Sequence, residues 1–275
     1  MALAQTRECR GSLGVIPYSR SVDEERLTGG NTHAEVMRVG NTVRRPIGSW
    51  TPAVHTLLEH LASVGYDGAP NLLGLDEQGR EILSFVPGTV VWPDHFSLVQ
   101  TDEALGQVSA SIRGYHAAVA NFPFDRFAWS DRGADPEGPS EVLCHNDLAP
   151  WNLVRGDTDG WTFIDWDLAA PGRFAWDLAW ALLSFIPLMP HSTLTDSETR
   201  HRVAVFRGGY GTALPDDVLT VAAERCAYEA ERIERHGRDG IEPYARLLAE
   251  GHAAVWRSAE ARVAAKQPHW QSALA

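Results

Sequence analysis

The 275-residue chain contains a single lysine, Lys266. Any task that proteins commonly give to an internal lysine must therefore fall to arginine or histidine. Cysteine is also scarce. Cys9, Cys144 and Cys226 are odd in number and far apart, which excludes a disulfide framework and zinc-ligand spacing and points to a reducing, cytoplasmic setting. There is no uninterrupted apolar run long enough to cross a bilayer. The most apolar stretch, Leu168 to Met189, is broken by Arg173, Asp177 and two prolines, and the beginning of the chain lacks the basic-then-apolar pattern of a signal peptide. Finally, positive charge is in deficit. A formal net charge of −12 argues against nucleic acid or an anionic membrane as partner. The acidity suits a cationic ligand or a metal, although solubility alone explains it equally well.

What is present is an ordinary globular composition, 44% hydrophobic and 22% charged, at a length that predicts one large or two fused lobes. Residues 1 to about 20 read as a loose arm. From Leu27 the pattern is two-stranded: LTGGNTHAEVMRV is strand, glycine turn and strand, and Gly40-Asn41 is a two-residue hairpin leading into TVRR. Thr51-Pro52 starts a helix whose apolar face is Val54, Leu57, Leu58, Leu61 and Val64. Leu72–Leu75 and Glu81–Val86 read as another strand pair, running into the linker Pro87-Gly88. This gives a small antiparallel lobe with one helix, residues 1–88. The larger lobe, 89–275, reads as mainly helical, with helices predicted over 102–121, 173–186, 197–210, 216–236 and 242–265. His116, beside an apolar face, reads as a packed structural histidine.

The chemistry-bearing stretch is Leu143 to Leu178. His145, Asp147 and Asn152 form H-x-D-x-x-x-x-N in one loop, and Asp165 and Asp167 form I-D-x-D at the end of the next apolar strand. Pro150 lets the first loop curl so that Asp147 and Asn152 aim at one point. A carboxylate can orient an alcohol and accept its proton, and an amide oxygen is a neutral ligand for a hard cation. If the strand ran on, Asp165 and Asp167 would face opposite sides, so one of them reaches a cation, and Asp165 is favoured. Mg²⁺ needs only one or two carboxylates when phosphates and water complete its shell. His-x-Asp-x-x-x-x-Asn alone is a weak signal, because these are common turn residues. The ordered set, with I-D-x-D thirteen residues after Asn152 and D-L-A ten after Asp167, is a strong one.

HNDLAPWN, FIDWDLAAPG and WDLAW together resemble the aminoglycoside phosphotransferase and choline kinase family. The resemblance implies an α+β, bilobal protein-kinase-like fold and a Mg²⁺-dependent transfer of the γ-phosphate of ATP or GTP to a hydroxyl of a small molecule. It also implies roles: Asp147 as catalytic carboxylate, Asn152 and Asp165 on the metal with Asp167 as a second acidic position, Asp177 supporting the loop, and His145 bracing it. More loosely, Gly29 and Gly30 would lie over the phosphates, and Ser84, Phe85 and Val86 would be the hinge that bonds the base. A plain β-turn explains Gly29-Gly30 nearly as well.

The family pattern is broken at one place. Kinase-like sites use a strand lysine paired with a helix glutamate, and here the position falls on Thr42-Val43-Arg44-Arg45, with Arg45 favoured over Arg44 by alternation. Arginine can clamp phosphate but is not interchangeable with lysine. The helix glutamate is also missing, leaving Glu59 or His55 as the expected partner. An aminoglycoside-type antibiotic is the expected acceptor. A sugar, amino alcohol, macrolide or basic peptide antibiotic is the alternative, and a pseudokinase-like binding module is the competing class. Glu224, Glu229, Glu231 and Glu234 could meet a cationic acceptor, but their spacing fits a solvated, ion-paired helix face better. Trp151, Trp166, Trp176 and Trp180 could line a pocket, with core packing the default.

Overall fold

The computed structural model describes residues 24–27, 36–136, 138–157 and 160–274. Within these the chain divides into two compact units. The smaller comprises the described residues up to Ile47 together with Leu72–Phe85. It is a five-stranded antiparallel sheet of β1 (Glu24–Arg26), β2 (Met37–Val39), β3 (Thr42–Arg45), β4 (Leu72–Leu75) and β5 (Glu81–Ser84), in the order β1-β2-β3-β5-β4. Gly40 takes φ +60° at the β2–β3 turn, a conformation in which a side chain would be strained. The register sets Thr42 opposite Ser84 and Arg45 opposite Glu81. The glycine turn expected at Gly29-Gly30 lies outside the described residues.

The larger unit holds Gly48–Asn71 and everything from Val86 onward. The chain passes from the smaller unit to the larger between Phe85 and Val86, and the first helix groups with the larger unit. Helix α1 (Thr51–Ser63) packs with the larger unit because its buried face and the loop after it are tied there. His60 Nε2 meets the Ala118 carbonyl at 2.9 Å, the Gly68 carbonyl accepts from the Phe163 amide at 2.9 Å, and Tyr66 packs on Tyr115.

The remaining elements of this unit are β6 (Gly88–Val90), α2 (Asp102–Ala118), β7 (Val142–Cys144), β8 (Leu153–Gly156), β9 (Trp161–Phe163), β10 (Ala170–Gly172) and five helices. These are α3 (Phe174–Phe185), α4 (Asp196–Tyr210), α5 (Val218–Arg238), α6 (Tyr244–Ala249) and α7 (His252–Trp270). The single helix expected over 242–265 is two. Gly251, at φ +81°, ends one and begins the other. Ten of the twelve residues of α3 are buried, which accounts for the apolar run without a bilayer. Among the described residues no helix is long and apolar enough to cross a membrane.

Two small sheets position the site. β6, β8 and β9 form one, and β7 pairs with β10 in the other. Gly88 must be glycine, since it has φ +143° and a Cβ there would lie 2.2 Å from the Arg155 carbonyl. Tyr115 of α2, fully buried, donates its hydroxyl to the Leu143 carbonyl at 2.7 Å and so fixes β7 just before the polar loop begins.

Candidate active site

The loop after β7 is built around a buried carboxylate. Asp177, in the first turn of α3 and completely buried, accepts from the backbone amides of His145 (3.0 Å) and Asn146 (2.7 Å) and meets His116 Nε2 at 3.0 Å. Burial alone would raise its pKa, but the hydrogen bond and charge of His116, with His145, hold it below the ordinary carboxylate value. His116 is the packed structural histidine that its position on α2 suggests, its other ring nitrogen 2.8 Å from the Tyr210 hydroxyl.

Asn146 has φ +65°, a conformation tolerated by Asn better than by most residues. Its amide side chain donates to the Leu168 carbonyl at 2.9 Å, and its own carbonyl accepts from Arg225 at 2.9 Å. His145 is fully buried, and its Nδ1 accepts from the Asp147 amide at 3.3 Å, which places the proton on Nε2. Burial pushes this imidazole down, toward neutrality. The ring thus ties two neighbouring positions of the loop together.

Asp147 is thereby turned outward. Asn152 Nδ2 donates to its Oδ2 at 2.7 Å and to its backbone carbonyl at 3.1 Å, so the Asn152 amide oxygen is the atom left for a cation. Trp180 donates to Oδ1 at 2.9 Å, and Trp151 to both oxygens at 3.2 Å. Burial pushes the Asp147 carboxyl up to about 6, the charge of Asp165 adds to the rise, and the indole and amide donors oppose it. Such a group changes charge near neutrality, as a group that handles a proton does.

The second loop is tied to the first through the Ile164 amide, which donates to the Asn152 carbonyl at 2.9 Å. β9 stops at Phe163, and Asp165 takes φ +61°. The chain therefore turns there, and the strict alternation of Asp165 and Asp167 does not apply. Asp167 lies in the short 3-10 turn 166–168, 6% exposed. No group of three or more His, Cys, Asp or Glu among the described residues gathers as a self-sufficient metal cage. An amide oxygen and an Asp carboxylate are hard donors of the kind Mg²⁺ accepts when phosphates complete its shell, so the donor set fits that ion.

In the smaller unit, Arg45 is buried and ion-paired with Glu81, its cross-strand neighbour on β5. This partner comes from a strand, and Glu59 is exposed. Arg44 bonds Thr42 and lies 3.8 Å from Asp76. Of the expected hinge, Ser84 is in β5, and the Phe85 amide donates to the Asn41 carbonyl at 2.9 Å. The Phe85 amide is thus committed to the strand. Arg38 stacks on the Phe85 ring at 3.8 Å.

The helix glutamates are ion-paired, but largely across elements rather than along α5 as their spacing suggested, and one of them is buried. Glu224 meets Arg173, and Glu231 and Glu234 meet Arg257, but Glu229 is buried, 2.6 Å from Arg232. Trp166 and Trp176 are core residues at 1% exposure, whereas Trp151 is 39% exposed.

Two residues escaped the sequence reading, Arg225 and Glu81. Arg225 is 1% exposed and lies with its Cζ 4.4 Å from the Trp176 ring and 4.9 Å from the Trp180 ring. Trp180, named there only as a possible pocket wall, is 7% exposed and also stacked on Trp256 with ring centroids 5.5 Å apart.

The sequence model of the phosphotransferase enzyme family matches residues 127–214. The trifolitoxin immunity protein of Rhizobium leguminosarum bv. trifolii is 38% identical over 225 residues, 76% of this chain and 84% of the relative. Among solved structures, a choline/ethanolamine kinase family protein from Mesorhizobium loti superposes with TM-score 0.58 at 15% identity, covering 91% of this chain and 92% of that one. The GDP complex of aminoglycoside 2'-phosphotransferase-IIIa does so with TM-score 0.57 at 14% identity, covering 92% and 95%. The fold shared with both is the protein-kinase-like α+β fold.

Proposed function

Starting from the fact that this chain belongs to the phosphotransferase enzyme family, we propose that it moves the γ-phosphate of a Mg²⁺-nucleotide to a hydroxyl of a small molecule. The observation that carries the reading is Asp147. A carboxylate held outward on a loop anchored by Asp177, with a pKa near neutrality, suits a group that orients a hydroxyl and accepts its hydrogen bond during transfer.

Asn152 and Asp165 hold the metal, with Asp167 nearby on the 3-10 turn. When bound, Mg²⁺ neutralises charge on the β- and γ-phosphates. The protein's own part is positioning and charge placement. Asp177 and Arg225 fix the loop, Asn152 orients Asp147, and Arg45 is the candidate for the phosphate clamp. The GDP in one structural relative supports a nucleotide donor, ATP or GTP.

For the acceptor, the relative named as a toxin immunity protein supports an antibiotic or toxin over a metabolic alcohol. An aminoglycoside-type antibiotic is the first candidate, and a basic peptide or macrolide antibiotic, a sugar or an amino alcohol the others. The test is phosphate transfer from Mg-ATP and Mg-GTP to a panel of these acceptors. Asp147→Ala is expected to lose transfer while retaining nucleotide, and Asp165→Ala to lose Mg²⁺-dependent nucleotide binding. Nucleotide binding with no transfer to any acceptor, unchanged in Asp147→Ala, would leave the binding-module reading in possession.

A further inference from the structure

Three N–H donors already engage the carboxylate of Asp147, which has about four acceptor positions. They are Trp180 on Oδ1 (2.9 Å), Asn152 on Oδ2 (2.7 Å), and Trp151, whose single hydrogen is shared between both oxygens (3.2 Å each). That shared hydrogen stands at the mouth of the carboxylate, so an acceptor hydroxyl that approaches there must displace it.

The three donors are not held alike. Asn152 is bonded twice to Asp147, and its own carbonyl accepts from Ile164. Trp180 is buried between Trp256, stacked at 5.5 Å, and the Arg225 guanidinium at 4.9 Å. Trp151 has the two longest contacts, is 39% exposed, and meets the Trp180 ring edge-on, with ring centroids 6.2 Å apart. It stands on the 150–152 turn between Pro150 and Asn152, both buried, so its side chain can swing outward while the turn stays in place. Losing one long, shared hydrogen bond and an edge contact costs less than unpacking either of the others.

We propose that the Trp151 indole is a displaceable place-holder: its N–H occupies the acceptor-hydroxyl position on Asp147, and the acceptor must replace it before transfer. The idea rests on Asp147 as the acceptor-side carboxylate. It assigns Trp151 two consequences. In the resting protein it keeps water from that position and so limits wasteful hydrolysis of the nucleotide. It also selects acceptors, since a hydroxyl has to compete with an indole N–H and fit against the remaining wall of Trp180.

Two measurements test this without a known acceptor. In ¹⁵N-indole spectra of the full chain, resonances identified by their loss in Trp151→Phe and Trp180→Phe should both move upfield in Asp147→Ala, because each loses a charged acceptor. A Trp151 resonance that ignores Asp147→Ala while that of Trp180 responds would overturn the proposal. Hydrolysis of Mg-ATP and Mg-GTP, with water as acceptor, should rise about tenfold in Trp151→Phe and in Trp151→Ala, the scale set by removing one competing hydrogen bond to a charged group. No rise in either variant, whatever the wild-type rate, sinks the gate. Failure of the underlying reading looks different. Hydrolysis would then persist undiminished in Asp147→Ala, even with the indole shifts as expected.

Discussion

Trp180 donates its indole N–H to Asp147 from one turn beyond Asp177 on the same helix, at 2.9 Å. Helix α3 therefore supports the loop at two levels, from below through the Asp177 carboxylate and from the side through this ring. The contact favours the ionised form of Asp147, against the burial that raises its pKa to about 6. Only the ionised form accepts a hydrogen bond from the acceptor on both oxygens, so the transfer rate should rise with pH through about 6. Trp180→Phe removes a donor that lowers the pKa, so the acidic limb should move to higher pH, by about one unit. A pH–rate profile of the variant against wild type checks both the direction and the size.

Replacing Asp177 by Asn should cost stability as well as activity. The carboxylate accepts from two backbone amides and His116 in a fully buried position, and an amide can supply only one oxygen. The loss should be about 2–4 kcal/mol by denaturant titration at pH 7. The sign with pH follows from its lowered folded value. Its contribution is fully present above the ordinary unfolded value of 3.8 and is lost as pH falls through the folded one. Wild type and variant should therefore converge in stability under strong acid.

The parts of the site that were legible in the sequence are those carried by contiguous spacing. His145, Asp147 and Asn152 share one loop, and Asp177 follows at the head of an apolar helix, so their order carried the family resemblance that implied their roles. The contacts of Trp180, Arg225 and Glu81 were not legible for a physical reason. Each residue sits in a regular element whose periodicity accounts for it already: a tryptophan on an apolar helix reads as core, an arginine beside glutamates on α5 reads as solvent-facing, and a glutamate starting a strand reads as an edge. Only the tertiary fold brings Arg225 to the Asn146 carbonyl. The same limit applies to α1, because its apolar face does not say which unit it buries against.

Arg225→Met isolates positioning from stability. The guanidinium is buried, its pKa lowered by desolvation, and two of its nitrogens lack hydrogen-bond partners. An apolar chain of similar length keeps the packing between Trp176 and Trp180 while removing an expensive buried charge, and Glu229 retains Arg232. Melting temperature should change by no more than a few degrees, whereas the turnover number should fall about tenfold or more, because the Asn146 carbonyl loses its only side-chain donor among the described contacts and Asp147 loses its fixed direction. Arg225→Lys should not rescue turnover, since an ammonium cannot stack flat between two indoles while donating sideways.

The buried pair of Arg45 and Glu81 can be tested as both a structural and a ligand-binding unit. In kinase-like sites the cation is useful because a carboxylate holds it extended, and here Glu81 of the adjacent strand pairs with Arg45. Each single replacement, Arg45→Met or Glu81→Gln, removes this buried ion pair and should be destabilising, while the double replacement should cost less than the sum. Nucleotide affinity separates the two roles. If Arg45 clamps phosphate, Arg45→Met should weaken Mg-nucleotide binding by about tenfold or more, the worth of a charge-assisted contact. The double variant should stay equally weak even though its stability recovers. Glu81→Gln should weaken binding less, because the cation remains but is less well aimed, and Arg44→Met should have little effect. Isothermal titration with Mg-ATP and Mg-GTP decides it. Full affinity in a folded Arg45→Met/Glu81→Gln protein would make the pair a strand-to-strand fastener and remove Arg45 from the phosphate site.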